Sequence, residues 1–206
     1  MWHLTLRRTV PLIGLMLLIV LLAAACDRSP TGGVPLASPT ATGALASPTL
    51  PPSTPTRASG PYPVKVYFSR HPDSDNSPTA VFAVPRVSPT LGVATYAITQ
   101  LIAGPSGTEQ SSGYYTPLIG ALSGSSNCGG ADFTITLDHR GPKSQTGTAT
   151  LQFCRGVALA GDLTGPRISS EIGATLKQFS NIQQVVILTS GGNCFDDARG
   201  ANACLN

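Results

Sequence analysis

The sequence predicts a single α+β domain over residues 61–206. Short segments in which apolar and polar residues alternate are typical of strands, and they occur in both halves of this region. Two further segments carry apolar residues at steps of three and four, which is the helical period. The region is long enough to bury one hydrophobic core and too short for two, so we expect one domain.

Two strands open the predicted domain. Residues 63–68 alternate and are rich in β-branched and aromatic side chains. A turn rich in Pro, Asp and Ser follows at 71–78, and a second strand covers residues 80–84 and can extend to Val87. Because Pro85 has no backbone N–H to donate, we expect it either to place the second strand at a sheet edge or to end that strand.

The first helix is predicted to begin at Ser88-Pro89-Thr90, which offers a capping hydroxyl and a proline suited to a first turn. Gly104-Pro105 ends it. The residues predicted to face the core recur at steps of three or four: Leu91, Ala94, Ile98, Leu101 and Ile102. A helix with one apolar stripe packs that stripe against another element.

The second half of the domain repeats this organisation. Residues 133–137 and 148–153 alternate, and they form a predicted hairpin around a turn at 139–142. A second helix is predicted to begin at Pro166. Its predicted core face consists of Ile168, Ile172, Leu176 and Phe179.

The last predicted strand covers residues 185–188. Its continuous apolar run favours a buried, central place in a sheet. The predicted order is therefore strand, strand, helix, strand, strand, helix, strand. This order suits one mixed sheet with both helices packed on one face, which belongs to the α+β class.

Residues 1–25 have the layout of a bacterial signal peptide. Arg7 and Arg8 precede an apolar run from Val10 to Leu22, and three alanines lead to Cys26. Positive charge holds the N-terminus on the cytoplasmic side while the apolar run enters the bilayer. The run is shorter than the roughly 20 residues that a permanent membrane-spanning helix needs.

Cys26 is predicted to be lipidated. Ala23-Ala24-Ala25-Cys26 resembles the bacterial lipobox, in which the cysteine thiol is diacylated and becomes the new N-terminus. Two acyl chains hold a protein on a membrane firmly, whereas one binds reversibly. The alternatives are an uncleaved membrane anchor and a secreted form with Cys26 as a free thiol. The resemblance implies a cell-membrane lipoprotein that faces the extracytoplasmic side.

Residues 26–60 are predicted to be this lipidated cysteine followed by a disordered tether. Ser, Thr, Pro, Ala and Gly dominate the segment, which cannot bury a core. A flexible chain of this length has a mean reach of roughly 30 Å. We therefore expect the domain to stand away from the membrane surface.

The four cysteines that follow Cys26 predict two disulfides, because an even number of cysteines outside the cytoplasm indicates pairing. Four cysteines allow three pairings, among which the sequence alone does not choose. We favour Cys128 with Cys154, which flank neighbouring predicted strands, and Cys194 with Cys204, which close a short loop. No Cys-x-x-Cys occurs and no histidine lies at zinc-ligand spacing, so no metal is predicted.

Charge and side-chain chemistry argue against two functional classes. From residue 60 onward, three lysines and six arginines balance seven aspartates and two glutamates, without the basic cluster that nucleic-acid binding needs. The domain's histidines, His71 and His139, lie in turns, and no serine lies on a sharp elbow. Glu109 and Glu171 each have a helix-end role available. We predict no catalytic residues, no cofactor and no nucleic-acid partner.

The domain resembles the GerMN domain of sporulation and spore-germination proteins and related envelope lipoproteins. The most specific part is Gly104-Pro105 followed by Glu109 and Gly113, which indicates a helix stop with a defined turn after it. The other matching segments are core patterns, at residues 64–68, 101–106, 147–151, 175–179 and 185–187. The resemblance implies a non-catalytic envelope module.

Two binding functions are predicted. The first is a protein-interaction scaffold with an envelope protein as partner, because a flexible tether raises the effective concentration of a domain near the membrane without fixing its orientation. Its predicted docking edge is the strand at residues 80–84, to which an extended partner strand would add. The alternative is binding of cell-wall glycan or another small envelope ligand, for which Tyr114 and Tyr115 are the candidate residues.

Overall fold

The computed structural model describes residues 60–206. The predicted signal peptide, the lipidated Cys26 and the tether lie outside the described residues. Within them, the α+β class is confirmed. The strands are β1 (Tyr62–Arg70), β2 (Phe82–Ser88), β3 (Tyr114–Tyr115), β4 (Leu122–Ser123), β5 (Phe133–Arg140), β6 (Lys143–Phe153), β7 (Gly156–Val157) and β8 (Gln184–Leu188). The helices are α1 (Val93–Ala103), α2 (Gly107–Ser111) and α3 (Thr164–Lys177), and a 3-10 turn covers Ala203–Leu205.

The strands form three sheets, so the prediction of one mixed sheet is wrong. The first sheet has the order β2-β1-β3, the second is the pair β4-β7, and the third has the order β5-β6-β8. All pairs are antiparallel except β6-β8, which is parallel. The seven predicted elements follow one another as expected, but α2, β3, β4 and β7 interrupt them. These four elements are too short to produce a periodic signal in the sequence.

Helix α3 closes the inner edge of β1, and this separates the first sheet from the third. Three backbone N–H groups of β1 donate to side chains of α3 and its C-cap residue: Lys65 N to Gln178 Oε1 (2.7 Å), Tyr67 N to Thr175 Oγ1 (3.1 Å) and Ser69 N to Glu171 Oε1 (3.0 Å). The acceptors lie three and four residues apart along the helix, about 4.5 and 6 Å, and the donors lie two residues apart along the strand, about 6.6 Å, so each donor lies near an acceptor. Helix α3 is therefore hydrogen-bonded along the edge of β1, while its apolar residues pack into the core with residues of β6 and β8.

Strand β8 lies at an edge of the third sheet, so the central place predicted for it is wrong. The segment that follows covers its outer side. Phe195 N donates to Ile187 O (2.8 Å), and Thr189 N donates to Asn193 O (2.8 Å). The apolar run of β8 is therefore buried by α3 and the C-terminal segment instead of by a neighbouring strand.

The two long helices begin at other residues than predicted. Helix α1 begins at Val93 without a capping side chain, because the Ser88 hydroxyl bonds the backbone of Thr90 and closes a turn before the helix. Leu91 therefore lies outside α1 and is 57% exposed, so its predicted core position is wrong. Helix α3 begins at Thr164, before Pro166.

The core lies where β1, α1, α3 and β6 meet. The predicted core faces are confirmed for the central residues of both helices, whereas Ala94, Ile102 and Phe179 are half-buried at the margin. The fully buried apolar side chains include Val66, Phe68, Ile98, Leu101, Leu151, Phe153, Ile168, Ile172 and Leu176.

The four cysteines of the domain pair as predicted. Cys128 is bonded to Cys154 with a Cα–Cα distance of 5.6 Å, and Cys194 to Cys204 with 5.9 Å. The first bond ties the loop before β5 to the end of β6. The second closes the C-terminal segment that covers β8, so each bond braces an end of the third sheet.

None of the helices in residues 60–206 has the length and apolar character needed to cross a membrane.

Candidate interaction site

The two tyrosines predicted to bind a ligand form β3 and pair with the end of β1. Tyr114 is half-buried and packs against the core. The Tyr115 ring stacks on His71 with centroids 4.2 Å apart, and the Arg167 guanidinium lies 5.3 Å from its centroid. Ligand binding by this pair stays a prediction. The geometry gives both rings a structural role, because each is held between neighbouring side chains.

Beside these tyrosines, Glu171 forms a buried polar junction. Its Oε1 accepts from Ser69 N (3.0 Å) and Ser69 Oγ (2.8 Å), and its Oε2 accepts from Thr116 Oγ1 (2.6 Å). Burial raises the pKa of Glu171 to about 7, although these hydrogen bonds and the charge of Arg167 act in the opposite direction. The helix-end role predicted for Glu171 is therefore wrong. The residue lies within α3 and joins it to β1 and to the segment after β3.

Glu109 has the predicted helix-end role. It is the third residue of α2 and forms a capping box with Ser106. Its carboxylate also binds Arg86 of β2 in a two-pronged pair, with contacts of 2.7 and 2.6 Å. The Arg86 guanidinium holds the pKa of Glu109 down at about 2. This pair ties α2 to the first sheet.

Strand β2 lies at a sheet edge, which is one of the two readings of Pro85, and it continues past Pro85 to Ser88, so the other reading is wrong. The backbone N–H groups of odd-numbered residues in β1 donate to α3, so the backbone groups of its even-numbered residues point toward β2. With the register of the pair, the backbone groups of Ala83, Pro85 and Val87 in β2 therefore point away from β1. Pro85 has no N–H, and its carbonyl accepts from Arg86 Nη1 (3.0 Å). The middle of this edge is therefore closed to a partner strand. Docking at residues 80–84 stays a prediction that this geometry disfavours.

Strand β5 forms an edge of the third sheet that has no such protection. Asp132 O accepts from Cys154 N (2.8 Å), which fixes the alternation of hydrogen bonds between β5 and β6. Thr134 and Thr136 then face β6, whereas the backbone groups of alternate residues from 133 to 137 point away from it. No proline interrupts this stretch. Among the described residues, Leu137 O is the only one of these outward groups that contacts a side chain, with His139 Nδ1 at 2.9 Å.

An apolar groove runs between this open edge and α1. Its wider part has a volume of about 340 Å³. The residues lining it include Leu91, Ala94, Thr95, Ile135, Leu137 and Phe179. Leu91 and Leu137 are 57% and 45% exposed, so apolar surface is presented to solvent at the rim. Exposed apolar surface in a concave site is a common mark of a binding surface.

The groove continues into a second cavity of about 220 Å³. The two cavities share Thr95, which lies between them. The second cavity is lined by Thr99 and Ile102 of α1 and by Asp132 and Phe133 at the start of β5. Together the two cavities form the β5–α1 groove, in which Ile135 and Leu137 line the wider cavity and Phe133 lines the second.

A wider cavity of about 550 Å³ lies over the C-terminal disulfide loop, but Asp197 and Asn202, which line it, bond within the loop itself. Asp197 Oδ2 accepts from Asn202 N (2.6 Å), and Asn202 Oδ1 accepts from Cys194 N (2.8 Å). No three His, Cys, Asp or Glu side chains in the described part of the chain come together as a metal site requires. The β5–α1 groove is therefore the better candidate.

The sequence contains signals for this groove that do not stand out by themselves. The stretch from 133 to 137 alternates and lacks proline, which predicts a strand but not an open edge. Leu91 follows the helical period of α1, so it is predicted to be buried. Only the strand order shows that β5 has one neighbour and that Leu91 is exposed beside it.

No protein-family model, curated protein or solved structure matches this chain. Its function is therefore inferred from the residues and their geometry.

Proposed function

We propose that this protein is a lipoprotein of the cell envelope, lipidated on Cys26, whose GerMN-like domain binds another envelope protein on the extracytoplasmic side of the membrane. The signal-peptide layout and the cysteine at its end support export and lipidation. The two disulfides are compatible with an oxidising compartment. The domain acts by binding and performs no chemistry.

The observation that carries the binding proposal is the open edge of β5 beside an apolar groove. Unpaired backbone donors and acceptors attract another polypeptide, which offers the same groups at the same spacing. The apolar lining contributes further free energy when the side chains of the partner displace water. A glycan would instead require exposed aromatic platforms, and Tyr115 is occupied by its contacts with His71 and Arg167.

Membrane attachment is tested with the full-length chain and a Cys26→Ser variant, expressed in a bacterium that processes lipoproteins. We expect the parent chain in the membrane fraction, labelled by a palmitate analogue, and the variant unlabelled. An equally labelled variant would contradict lipidation on Cys26.

Protein binding through the groove is tested by placing a photo-crosslinking amino acid at Leu137 in the full-length chain in cells. Val87 on β2 is the matched control, because both are exposed aliphatic side chains on edge strands, with exposures of 45% and 57%. We expect a discrete crosslinked protein band with the probe at Leu137 and none at Val87. The same band from both positions, or a band only from Val87, would contradict the assignment of the groove.

A further inference from the structure

We infer that the occupant of the β5–α1 groove is an extended peptide segment of the partner, which adds to β5 as a fourth strand of the third sheet. This inference rests on the proposed function and specifies the chemistry of the partner. It commits to a linear segment with apolar side chains at every second position. Folded-surface docking and self-association are competing outcomes of the test below.

Backbone geometry is the first argument. The residues of β5 whose backbone groups point outward are Phe133, Ile135 and Leu137, as the bond from Cys154 N to Asp132 O requires. An added strand would hydrogen-bond to these backbone groups, which recur at every second residue of β5. Its own backbone N–H and C=O groups therefore matter at alternate positions only.

Cavity spacing is the second argument. Ile135 and Leu137 line the wider cavity, and Phe133 lines the second. A strand advances about 6.6 Å for every two residues, so alternate side chains of an added strand fall into successive cavities. The lining side chains are aliphatic and aromatic, apart from the threonines of α1, Asn181 and Asp132. Aliphatic side chains such as Val, Ile and Leu therefore suit both places.

The length of the open edge argues against a second copy of this chain as the occupant. The ladder between β5 and β6 shifts register between Leu137 and His139, and Asp138 lies there with a φ of 56°. A bulge of this kind twists the strand and ends the flat edge. Five residues, from 133 to 137, are left, which is about 17 Å. A stable dimer needs about 800 Å² from each partner, whereas a short linear peptide needs only this edge and the two cavities.

The test uses the purified full-length protein in detergent and a display library of randomised ten-residue peptides. Three immobilised forms are compared: the parent chain, Leu137→Lys and the matched control Val87→Lys. We expect the parent and Val87→Lys to enrich the same peptides, with aliphatic residues at alternate positions. Leu137→Lys should weaken their binding at least about tenfold. Enrichment of peptides without this alternation, or no enrichment above Leu137→Lys, overturns the inference.

Strand addition is then tested on the best enriched peptide by single N-methylation along its length. We expect N-methyl groups to abolish binding at every second residue and to be tolerated at the residues between. Uniform tolerance would overturn strand addition. Thr99→Trp, which fills the second cavity, should also weaken binding, whereas Thr108→Trp on the exposed face of α2 should not.

Failure of the linear-peptide inference can be distinguished from failure of the proposed protein-binding function. Crosslinking in cells at Leu137 without peptide enrichment shows a groove that binds a folded surface, which retains the proposed function and overturns the linear peptide. A crosslink from Leu137 to a second copy of the chain overturns it in favour of self-association.

Discussion

Strands β2 and β5 both lie at sheet edges, but only the edge of β2 is blocked. On β2, Pro85 has no N–H to donate, and the Arg86 side chain donates to the Pro85 carbonyl. On β5, Phe133, Ile135 and Leu137 point their backbone groups outward, of which only Leu137 O has a side-chain contact among the described residues, and an apolar groove lies alongside. Exposed edges promote unwanted pairing, and proteins usually block them. The difference between the two edges supports the proposal that a partner strand adds to β5.

The other long edges of the first and third sheets are also blocked, because other parts of the domain bond or cover them. The inner edge of β1 donates to Glu171, Thr175 and Gln178, and the outer side of β8 is covered by the segment around Phe195. Four substitutions or titrations sharpen this contrast, from the largest expected effect to the smallest.

Removing the junction at the closed edge of β1 should have the largest effect. Glu171→Ala leaves Ser69 N and two hydroxyl groups without their acceptor and opens a cavity, so we expect a loss of about 4 kcal/mol in the free energy of unfolding. Urea unfolding measures it. Glu171→Gln is the control, because its amide oxygen still accepts from Ser69, and it should lose less than half as much. Equal losses would show that this edge does not depend on the acceptor.

The same junction should make stability depend on pH. The pKa of Glu171 is about 7 in the folded protein, above its ordinary value of 4.5. The folded state therefore binds the proton more tightly than the unfolded state. We expect the free energy of unfolding to be highest near pH 4.5 and to fall by up to about 3 kcal/mol as the pH rises past 7.

Glu109 acts in the opposite direction at lower pH. Its pKa is held at about 2 by Arg86, so the stability it contributes is lost as the pH falls from 4.5 toward 2. Unfolding curves between pH 4.5 and 8 avoid the titration of Glu109. Glu171→Gln should flatten them, and an unchanged slope in that variant would assign the pH dependence to another group.

Removing the disulfide of the segment that covers β8 should have the next largest effect on the free energy of unfolding. Cys194→Ala with Cys204→Ala releases a loop with a sequence separation of 10 residues, which predicts a loss of about 2.5 kcal/mol. We also expect faster amide hydrogen exchange at Phe195, whose N–H bonds Ile187 O. Peptide binding at the distant β5 edge should not change. A loss of peptide binding would show that the two edges are coupled.

The smallest effect on stability should follow from unblocking β2. Pro85→Val restores the missing N–H, and we expect the free energy of unfolding to change by less than about 1 kcal/mol. The informative measurement is sedimentation velocity at increasing concentration, because a second open edge favours self-association. A variant that stays as monomeric as the parent would show that Arg86 alone closes this edge.

Sequence reasoning predicts the seven longer elements, gives a sheet edge as one reading of Pro85 and favours the observed cysteine pairs, because periodicity, proline and loop length are local signals. It placed all strands in one sheet because a strand pattern does not specify its neighbours. The acceptors that close β1 come from α3, about a hundred residues later in the chain.

The candidate site depends on the same long-range information. Tyr114 and Tyr115 stand out by composition, whereas Leu91 is predicted to face the core and Leu137 is one residue of an alternating strand. Their exposure depends on where α1 begins and where β5 ends in the sheet. The buried position of Glu171 is also invisible in sequence, because a glutamate within an amphipathic helix is usually solvent-exposed.

Residue-resolved amide hydrogen exchange, with and without the best enriched peptide, tests the contrast between the two edges most directly. We expect the peptide to slow exchange at Phe133 and Ile135 on β5 and to leave Ala83 and Val87 on β2 unchanged. Slowed exchange on β2, or no change on β5, would contradict the account that β5 is the edge left open for a partner.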